Sequence, residues 1–450
     1  MSAARGEFSS RFGFLMAASG SAVGLGNIWG FPTNAASNGG AAFLFMYLLM
    51  AFTLAYPALM AELIIGRHTR SNAVGALRQL STGPLTAKLG NVVGFAGIVT
   101  VSLILSFYAI VSGWMLAWLL NSFASMAGMD TASAWLTSDG EPRNAIFAVI
   151  FMMLTIVVIR AGVHDGIEKW ATRLMPVLVL ILFLLILYVL TLDGAMDGLR
   201  AYLVPDFSRA LQPGLIISAL GQAFFSLSLG VGTMLIYGSY LSSKENLPAI
   251  GGLVALLDTG IAFLAGLLIL PAMYVALANG VEIFDGNGAL VAGPGLIVAV
   301  LPALFETMGG AGVFVALAFF ILMTIASLTS SISMLEVPVA YVVETFDTGR
   351  HKATLLIGSL VSLISLVIVF NFDTLFDLVV NATTEYSQPL LGLFFAVFVG
   401  WIWNRNGVLQ EIQKGSPDAE HSFFWKVWPF YIRYICPLAI LAVYVQLLFF

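Results

Sequence analysis

The sequence predicts an all-α integral membrane protein in which eleven helices span the bilayer. Three observations support this fold class: 60% of the 450 residues are hydrophobic, only 10% are charged, and the mean hydropathy is +0.97. Soluble globular chains carry about 25% charged and about 45–50% apolar residues. The composition therefore excludes a cytosolic enzyme and a nucleic-acid-binding protein. The single cysteine, Cys436, also excludes a disulfide framework and a thiolate metal cluster.

Eleven apolar stretches are long enough to cross the hydrocarbon layer, which takes roughly 20 helical residues. The first stretch is expected to stay in the mature protein, because it is too long for a signal peptide and lacks a small-residue cleavage pattern. The loops are short, so residues 1–450 are predicted to form one membrane domain. The predicted spans lie near 12–35, 41–66, 90–123, 144–161, 168–192, 214–241, 247–278, 311–345, 352–371, 374–404 and 427–450.

The basic residues predict the orientation, since cytoplasmic loops of membrane proteins are enriched in Lys and Arg. With the N-terminus inside, sixteen of the 19 basic residues lie on inner segments, and only Arg143, Arg200 and Arg209 lie on outer ones. An odd number of spans then leaves the C-terminus outside.

Two spans contain clusters of small residues at which a helix is expected to break. Span 1 carries GSAVGLGN at 20–27, and span 6 carries FSLSLGVG at 225–232. Glycine-interrupted spans at corresponding positions of two halves are typical of inverted-repeat transporters, whose half-helix ends and unwound carbonyls bind cargo and cations. Close helix packing through small residues is the alternative explanation. The pattern alone does not decide between the two.

Four motifs, in the right order, resemble the neurotransmitter:sodium symporter family and in particular its bacterial leucine-transporting members. They are SSRFGFLMAASGSAVGLGNIWGFP at 9–32, NGGAAF at 38–43, GQAFFSLSLGVG at 221–232 and SLTSSISMLEVP at 327–338. The resemblance covers about residues 5–405. It implies a leucine-transporter-like fold of 5+5 inverted repeats, about 9–192 and 214–404, with helices 1 and 6 unwound and an extra helix at 427–450. It also implies the plasma (inner) membrane of a bacterium, with the lipid bilayer as surroundings and no obligatory protein partner.

The resemblance further implies two sodium sites built from oxygen ligands, which a hard cation prefers. The first maps to Ala22, Asn27, Ser226 and Asp258, together with the substrate carboxylate. The second maps to the carbonyls of Gly20, Val23 and Ala326 and the hydroxyls of Thr329 and Ser330. The alternative for the two hydroxyls is a hydrogen bond back to the preceding helical turn.

The same resemblance implies a pocket for an α-amino acid, whose carboxylate meets the Tyr108 hydroxyl and two backbone N–H groups. Monoamine-carrying relatives have an aspartate where this chain has Gly24, so the substrate is expected to bring its own carboxylate. The pocket side chains are uncharged, and an unpaired substrate charge would be costly to bury against them. The expected cargo is therefore neutral and largely apolar. The implied pocket residues are Ala22, Leu25, Gly26, Ile104, Tyr108, Phe225, Ser226, Ser228, Val231, Ser330 and Met334.

The family's two gates map differently onto this chain. The cytoplasmic gate has counterparts throughout, although Arg5 is equally explained as a positively charged anchor. At the outer gate the family's arginine is replaced by Gly30, and its aspartate aligns with Val380. We expect an outer gate closed by apolar contact, with Asp377 as an alternative gate residue. The implied cytoplasmic gate residues are Arg5, Phe8, Ser239, Tyr240 and Glu344.

Transport is expected not to need chloride. Animal relatives hold a chloride ion with a tyrosine, a glutamine and two serines beside an asparagine. This chain keeps Tyr47, Gln222 and Ser226, but has Ala262 for the other serine and Asp258 for the asparagine. A fixed carboxylate beside Na⁺ would offset its charge as a bound anion does. The alternative is a protonated aspartate that only hydrogen-bonds within its helix.

Four carboxylates lie within predicted spans, namely Glu62, Asp258, Glu336 and Glu385. An intramembrane acid marks a functional site by default because it is costly to place there. Glu62 and Glu385 align with an acid pair of animal relatives and are predicted to meet and share a proton. Glu336 is expected to be structural.

These observations predict a sodium-coupled symporter that takes up neutral, largely apolar L-amino acids by alternating access. Two Na⁺ ions are the expected cofactors, and no enzymatic activity is expected. A substrate-gated channel or sensor on the same scaffold is the alternative. The amino acid and the sodium stoichiometry do not follow from the sequence.

Overall fold

The computed structural model describes residues 6–204, 212–284, 290–291 and 296–449, and these residues are almost entirely helical. Arg5 and Arg209 lie outside the described residues. The helices are α1 Arg11–Ala22, α2 Gly26–Ser37, α3 Ala41–Thr69, α4 Ala73–Leu80, α5 Pro84–Met126, α6 Asp130–Leu136, α7 Glu141–Arg160, α8 Val163–Val189, α9 Ala195–Leu203, α10 Pro213–Ser226, α11 Thr233–Ser239, α12 Leu247–Ala278, α13 Leu301–Thr307, α14 Gly310–Phe346, α15 Arg350–Val369, α16 Phe372–Ile402, α17 Arg405–Gln413 and α18 Phe423–Val445.

Nine helices in the described part of the chain are long and apolar enough to cross a membrane. The pair α1 and α2 makes a tenth span if the two are counted as one bent helix. The predicted span at 214–241 is divided between α10 and α11, so neither half reaches spanning length alone. The count of eleven therefore stays a prediction, whereas the all-helical membrane fold is confirmed.

Both predicted helix breaks are present. The axes of α1 and α2 differ by 55°, and Val23 between them has extended backbone angles. Between α10 and α11, Ser228, Gly230 and Gly232 have φ of +52°, +85° and +80°. A left-handed conformation at three alternate residues cannot continue a right-handed helix, and glycine adopts it without steric strain. The small residues of spans 1 and 6 thus mark real interruptions.

The broken helices lie inside the bundle. The half-helix α1 packs against α8 and α14, α2 packs against α12, and α11 packs against α3. The last contact depends on a close approach of two backbones: a Cβ on Gly238 would lie only 2.7 Å from the Leu63 carbonyl oxygen. This packing holds α11 against α3 while the unwound segments face the centre of the molecule.

Candidate functional site

A narrow cavity of about 40 Å³ lies where the two helix breaks face each other. All eleven predicted pocket residues line it, and none of its lining side chains is charged. Ser21, Gly24 and Gln388 complete the lining. We call this space the central cavity. The structure thus brings the predicted residues together, while their role in binding stays a prediction.

Tyr108 and the break between α1 and α2 form one wall of the central cavity. The Leu25 N–H donates to the Tyr108 hydroxyl oxygen at 3.3 Å. A Cβ at Gly24 would lie 2.5 Å from Ser330 Oγ and 2.8 Å from the Tyr108 hydroxyl oxygen. Only glycine therefore leaves this corner open beside the phenol and the start of α2, where N–H groups and the helix dipole favour a carboxylate.

Carbonyl groups at the end of α1 also border the central cavity. The hydroxyls of Ser228 and Ser330 each donate to the Ser21 carbonyl at 3.1 Å. Sequence reasoning did not assign Ser21, although the helix break two residues later was a usable signal, because it frees carbonyls of the last turn. Gln388 had no comparable motif. Its side-chain Oε1 is buried without a hydrogen-bond partner among the described residues.

Asp258 is the centre of a buried polar cluster next to the central cavity. Ser226 Oγ lies 2.8 and 3.0 Å from its two carboxylate oxygens, Asn27 Nδ2 donates to it at 2.7 Å, and the Tyr47 hydroxyl donates at 3.5 Å. The side chain is 0% exposed, and no basic side chain among the described residues pairs with it. A buried carboxylate with only neutral donors is costly. The negative charge of Asp258 would therefore be balanced by a bound cation or by a proton on its carboxylate. Ala22, the remaining predicted ligand of this first sodium site, lines the adjoining central cavity.

The predicted second sodium site is also brought together. Ser330 Oγ donates to the Gly20 and Val23 carbonyls, each at 3.3 Å, so it reaches across from α14 to α1. Thr329 Oγ1 instead bonds back to the Ala326 carbonyl at 3.1 Å, as the alternative reading expected. Carbonyl and hydroxyl oxygens are the ligands that suit a hard cation. No cluster of three or more His, Cys, Asp or Glu occurs in the part of the chain that is described.

A larger cavity of about 510 Å³ adjoins the central one. We call it the outer cavity, because the predicted orientation places it toward the outside. Leu25, Gly26, Tyr108 and Phe225 line both cavities and separate them.

Its wall contains Gly30, Asp377, Val380 and Glu385, and no Lys, Arg or His lies among its lining residues. Among the described residues, no cation of the lining therefore faces Asp377 or another acid across the cavity.

The predicted contact between Glu62 and Glu385 is wrong. Glu62 is buried and accepts backbone N–H groups of Gly230 at 2.7 Å and Leu235 at 3.3 Å. Glu385 is exposed on the wall of the outer cavity. Burial against the unwound segment between α10 and α11 gives Glu62 two N–H partners, so it needs no second acid.

The opposite end of the molecule is closed. The Phe8 N–H donates to the Tyr240 carbonyl at 3.0 Å, and the Phe8 ring lies 5.7 Å from that of Tyr237. Ser239 donates to the Ile236 carbonyl at 2.5 Å. Four of the five predicted gate residues are thus described at or near this end, with Arg5 outside the described residues.

Two carboxylates join helices at this closed end. Glu344 accepts two hydrogen bonds from Asn72, at 2.8 and 2.9 Å. Glu336 accepts from the Tyr240 hydroxyl at 2.5 Å and from Arg350 at 2.5 and 3.0 Å. Sequence reasoning missed this Tyr240, Glu336 and Arg350 network. The network links Tyr240, directly after α11, to Glu336 on α14 and Arg350 on α15.

Comparisons with known proteins agree with this arrangement. The sequence model of the Sodium:neurotransmitter symporter family matches residues 5–143 and 127–449 of the chain. It is 35% identical to an uncharacterised sodium-dependent transporter of Bacillus subtilis, covering 98% of this chain and 97% of the relative. It is 30% identical to the sodium- and chloride-dependent taurine transporter of Canis lupus familiaris, over 77% of this chain and 62% of that one.

A solved structure is also similar. A crystal structure of MhsT in complex with L-phenylalanine superposes with a TM-score of 0.83 at 37% identity, covering 98% of this chain and 99% of that one. The agreement of sequence motifs, helix breaks and relatives leads to one assignment. This chain belongs to the sodium:neurotransmitter symporter family and is a sodium-dependent transporter.

Proposed function

We propose that the protein is a symporter that couples Na⁺ to the uptake of neutral, largely apolar L-amino acids. One observation carries the proposal: the two helix breaks, the Tyr108 hydroxyl and the Asp258 cluster converge on a single cavity without a charged lining side chain. Such a cavity can satisfy an α-carboxylate and an α-ammonium with backbone groups. It offers no partner to a charged side chain.

The chemistry of the substrate follows from the walls of the central cavity. Tyr108 and the N–H groups at the start of α2 would hold the carboxylate, and the Ser21 and Ala22 carbonyls would hold the ammonium. Val231 and Met334 line an apolar side of the central cavity, and methionine can change its shape to admit a bulky side chain. The phenylalanine bound by MhsT supports an amino acid of this type.

Two Na⁺ ions would occupy the sites at Asp258 and at Ser330. The acids on the outer cavity wall, with no basic residue among the lining, favour entry of a cation over an anion. Each elementary charge that moves through the membrane potential supplies about 2.3 kcal/mol per 100 mV. Sodium entry can therefore drive uptake without a nucleotide.

A binding screen tests the substrate class. We expect leucine, methionine or an aromatic amino acid to raise the thermal stability of the purified protein only when Na⁺ is present, because ligands that bind the folded state stabilise it by mass action. Glycine as the strongest ligand would contradict the proposal. Counterflow of labelled amino acid in proteoliposomes would favour a carrier, whereas ion current far exceeding substrate flux would favour a channel.

We further propose that uptake does not depend on chloride, because Asp258 provides the fixed negative charge. Its contacts with Tyr47, Ser226 and Asn27 support this role. Uptake is expected to be unchanged when gluconate replaces chloride. An Asp258→Asn variant should lose uptake without chloride and regain part of it when chloride is added. A wild type that needs chloride would contradict the proposal.

A further inference from the structure

A cavity of about 290 Å³ lies far from the helix breaks, between the end of α16 and the start of α18. Its lining is rich in aromatic rings and cations and contains no Asp or Glu. We call it the basic–aromatic cavity, and its principal residues are Trp401, Arg405, Trp425, Lys426, Arg433 and Tyr434. The transport site does not include any of these residues.

The position of Arg433 is determined by two aromatic rings. Its guanidinium carbon lies 4.3 Å from the centre of the Trp401 ring and 5.5 Å from that of Tyr434. Trp401 Nε1 donates to the Arg433 carbonyl at 2.8 Å. A Cβ on Gly400 would lie 2.9 Å from Arg433 Cα, so glycine permits this close contact of α16 with α18. The rings hold the cation by cation–π attraction and leave its N–H donors free for a ligand.

The cations of this cavity have no counter-ion among the residues that the structure describes. Arg405, Lys426 and Arg433 are exposed, and none forms an ion pair with a carboxylate in the described ranges. Arg433 lies on α18 beside the end of α16, since a Cβ on Gly400 would lie 2.9 Å from its Cα. Basic side chains at the cytoplasmic edge of a membrane attract anionic groups. The arrangement therefore favours an anion that comes from outside the chain.

The surroundings indicate which anion this is. The predicted orientation places the loop at 405–426 in the cytoplasm, where the leaflet surface is negatively charged and attracts basic segments. Trp401 and Phe430 are 53% and 57% exposed beside the cations. An acyl chain would cover these apolar surfaces, whereas a free phosphate would leave them in contact with the surroundings.

We propose that the basic–aromatic cavity binds the phosphodiester headgroup of an anionic phospholipid of the cytoplasmic leaflet. Arg433 contacts the phosphate through its planar fork of donors, and Arg405 and Lys426 add charge at the mouth of the cavity. Trp401 and Phe430 contact the upper part of the acyl chains. The bound lipid connects the end of α16 with α18. This site is independent of the proposed amino-acid substrate.

Lipid binding to the delipidated full-length protein tests the proposal. Native mass spectrometry would compare phosphatidylglycerol with phosphatidylcholine of the same acyl chains. We expect tighter binding of phosphatidylglycerol to the wild type. Arg433→Gln, Arg405→Gln and Lys426→Gln should each weaken it by roughly fivefold and leave phosphatidylcholine binding unchanged. Arg78→Gln and Lys88→Gln are matched controls, because both residues are exposed, predicted to be cytoplasmic and outside the cavity.

Three outcomes would overturn the proposal. Equal affinity of the two lipids for the wild type would show that the cations do not select a headgroup. An equal loss in the control variants would show that only overall charge matters. Competition by free sn-glycerol 3-phosphate as strong as that by the lipid would indicate a site for soluble anions. If Arg433→Gln does not fold, Lys426→Gln at an exposed position still carries the test.

Discussion

Gly24 lies at the corner where the first helix break, Tyr108 and Ser330 meet. A methyl group there would occupy the space between the two hydroxyls. Gly24→Ala is therefore expected to weaken sodium-dependent amino-acid binding at least tenfold, or about 1.4 kcal/mol, without unfolding the protein. Gly97→Ala is the control, since a Cβ at Gly97 would meet nothing within 4 Å. Equal affinities of the two variants in a binding assay would contradict the placement of the carboxylate.

Tyr108 gives a second test at the scale of one residue. Tyr108→Phe removes a hydroxyl but keeps the ring between the two cavities. We expect amino-acid binding to weaken by about 1.5–3 kcal/mol, the contribution of a hydrogen bond to a charged group. Titration calorimetry in saturating Na⁺ would measure it. Unchanged affinity would remove Tyr108 from the proposed site.

Some of the predicted site residues lie close to the helix breaks, whereas Ile104, Tyr108, Ser330 and Met334 lie on the unbroken helices α5 and α14 and were implied only by the family resemblance. Breaks are encoded locally by glycine and serine, so Leu25, Phe225 and Ser228 could be recognised from short motifs. Gln388 reaches the central cavity only through the packing of α16. The contact between Glu336 and Arg350 depends on the reversal at Asp347, where φ is +47°. Such contacts arise from tertiary packing, which no local pattern reports.

At the scale of elements, α3 and α17 are joined by a buried ion pair. Arg67 Nε donates to Glu411 Oε1 at 2.7 Å, and the same guanidinium donates to the carbonyls of Glu411 and Glu245. Both side chains are at most 1% exposed. Lys414 Nζ bonds to the other carboxylate oxygen from a half-exposed position.

Substitution of Glu411 and of Lys414 measures the buried and the exposed contact separately. Glu411→Gln leaves the Arg67 charge buried and unpaired, which should lower the free energy of unfolding by about 3–5 kcal/mol. Lys414→Ala removes an exposed partner and should change it by about 0–1 kcal/mol. Thermal unfolding in detergent would measure both. Similar destabilisation by the two substitutions would contradict a buried pair.

This ion pair also predicts a dependence on pH. Burial raises the pKa of Glu411, but hydrogen bonds from His68 and Lys414 and the charge of Arg67 outweigh it and lower the pKa to about 2. In the unfolded chain the pKa of a glutamate carboxyl is about 4.3. Its contribution to stability is therefore complete above about pH 4.3 and declines as the pH falls toward 2. The wild type should lose more stability over that interval than Glu411→Gln does, and parallel profiles would contradict the prediction.

The long spanning helices could be predicted from the sequence, whereas the short loop helices could not. Long apolar stretches such as α5 and α14 were recognised from hydropathy, because a bilayer requires that length of apolar chain. Short loop helices such as α4 and α17 were not, since their formation depends on docking against the bundle. The relation between the two repeats stays a prediction.

At the scale of the whole molecule, the described residues leave a large cavity toward one end and close the other. The outer cavity reaches Tyr108 and Phe225, whereas Phe8 and Tyr240 cover the end that is predicted to be cytoplasmic. With the predicted orientation, and in the proposed alternating-access cycle, this would be an outward-facing arrangement. Substrate and Na⁺ would enter from the outer cavity.

Thiol labelling can test this arrangement, because the only cysteine, Cys436, is 0% exposed. In detergent with Na⁺, Val380→Cys should react rapidly with a polar methanethiosulfonate and Ser239→Cys slowly. Amino-acid substrate should slow the reaction of Val380→Cys as the outer cavity closes. The unsubstituted protein provides the background rate. Faster reaction at Ser239→Cys than at Val380→Cys would indicate that the cytoplasmic end is open in solution.

The outer cavity is bordered by Phe107, Val111, Phe376 and Val380, and none of its described lining residues is a cation that could pair with Asp377. Closing would bring apolar surfaces together instead of forming an ion pair. Hydrophobic burial has a large negative heat-capacity change, so the equilibrium between open and closed states should curve strongly with temperature. Added choline chloride at constant Na⁺ should hardly change it, because the described residues form no charge pair across this cavity for salt to screen. The equilibrium between the open and closed states of this transporter would then depend more on the temperature of its surroundings than on their ionic strength.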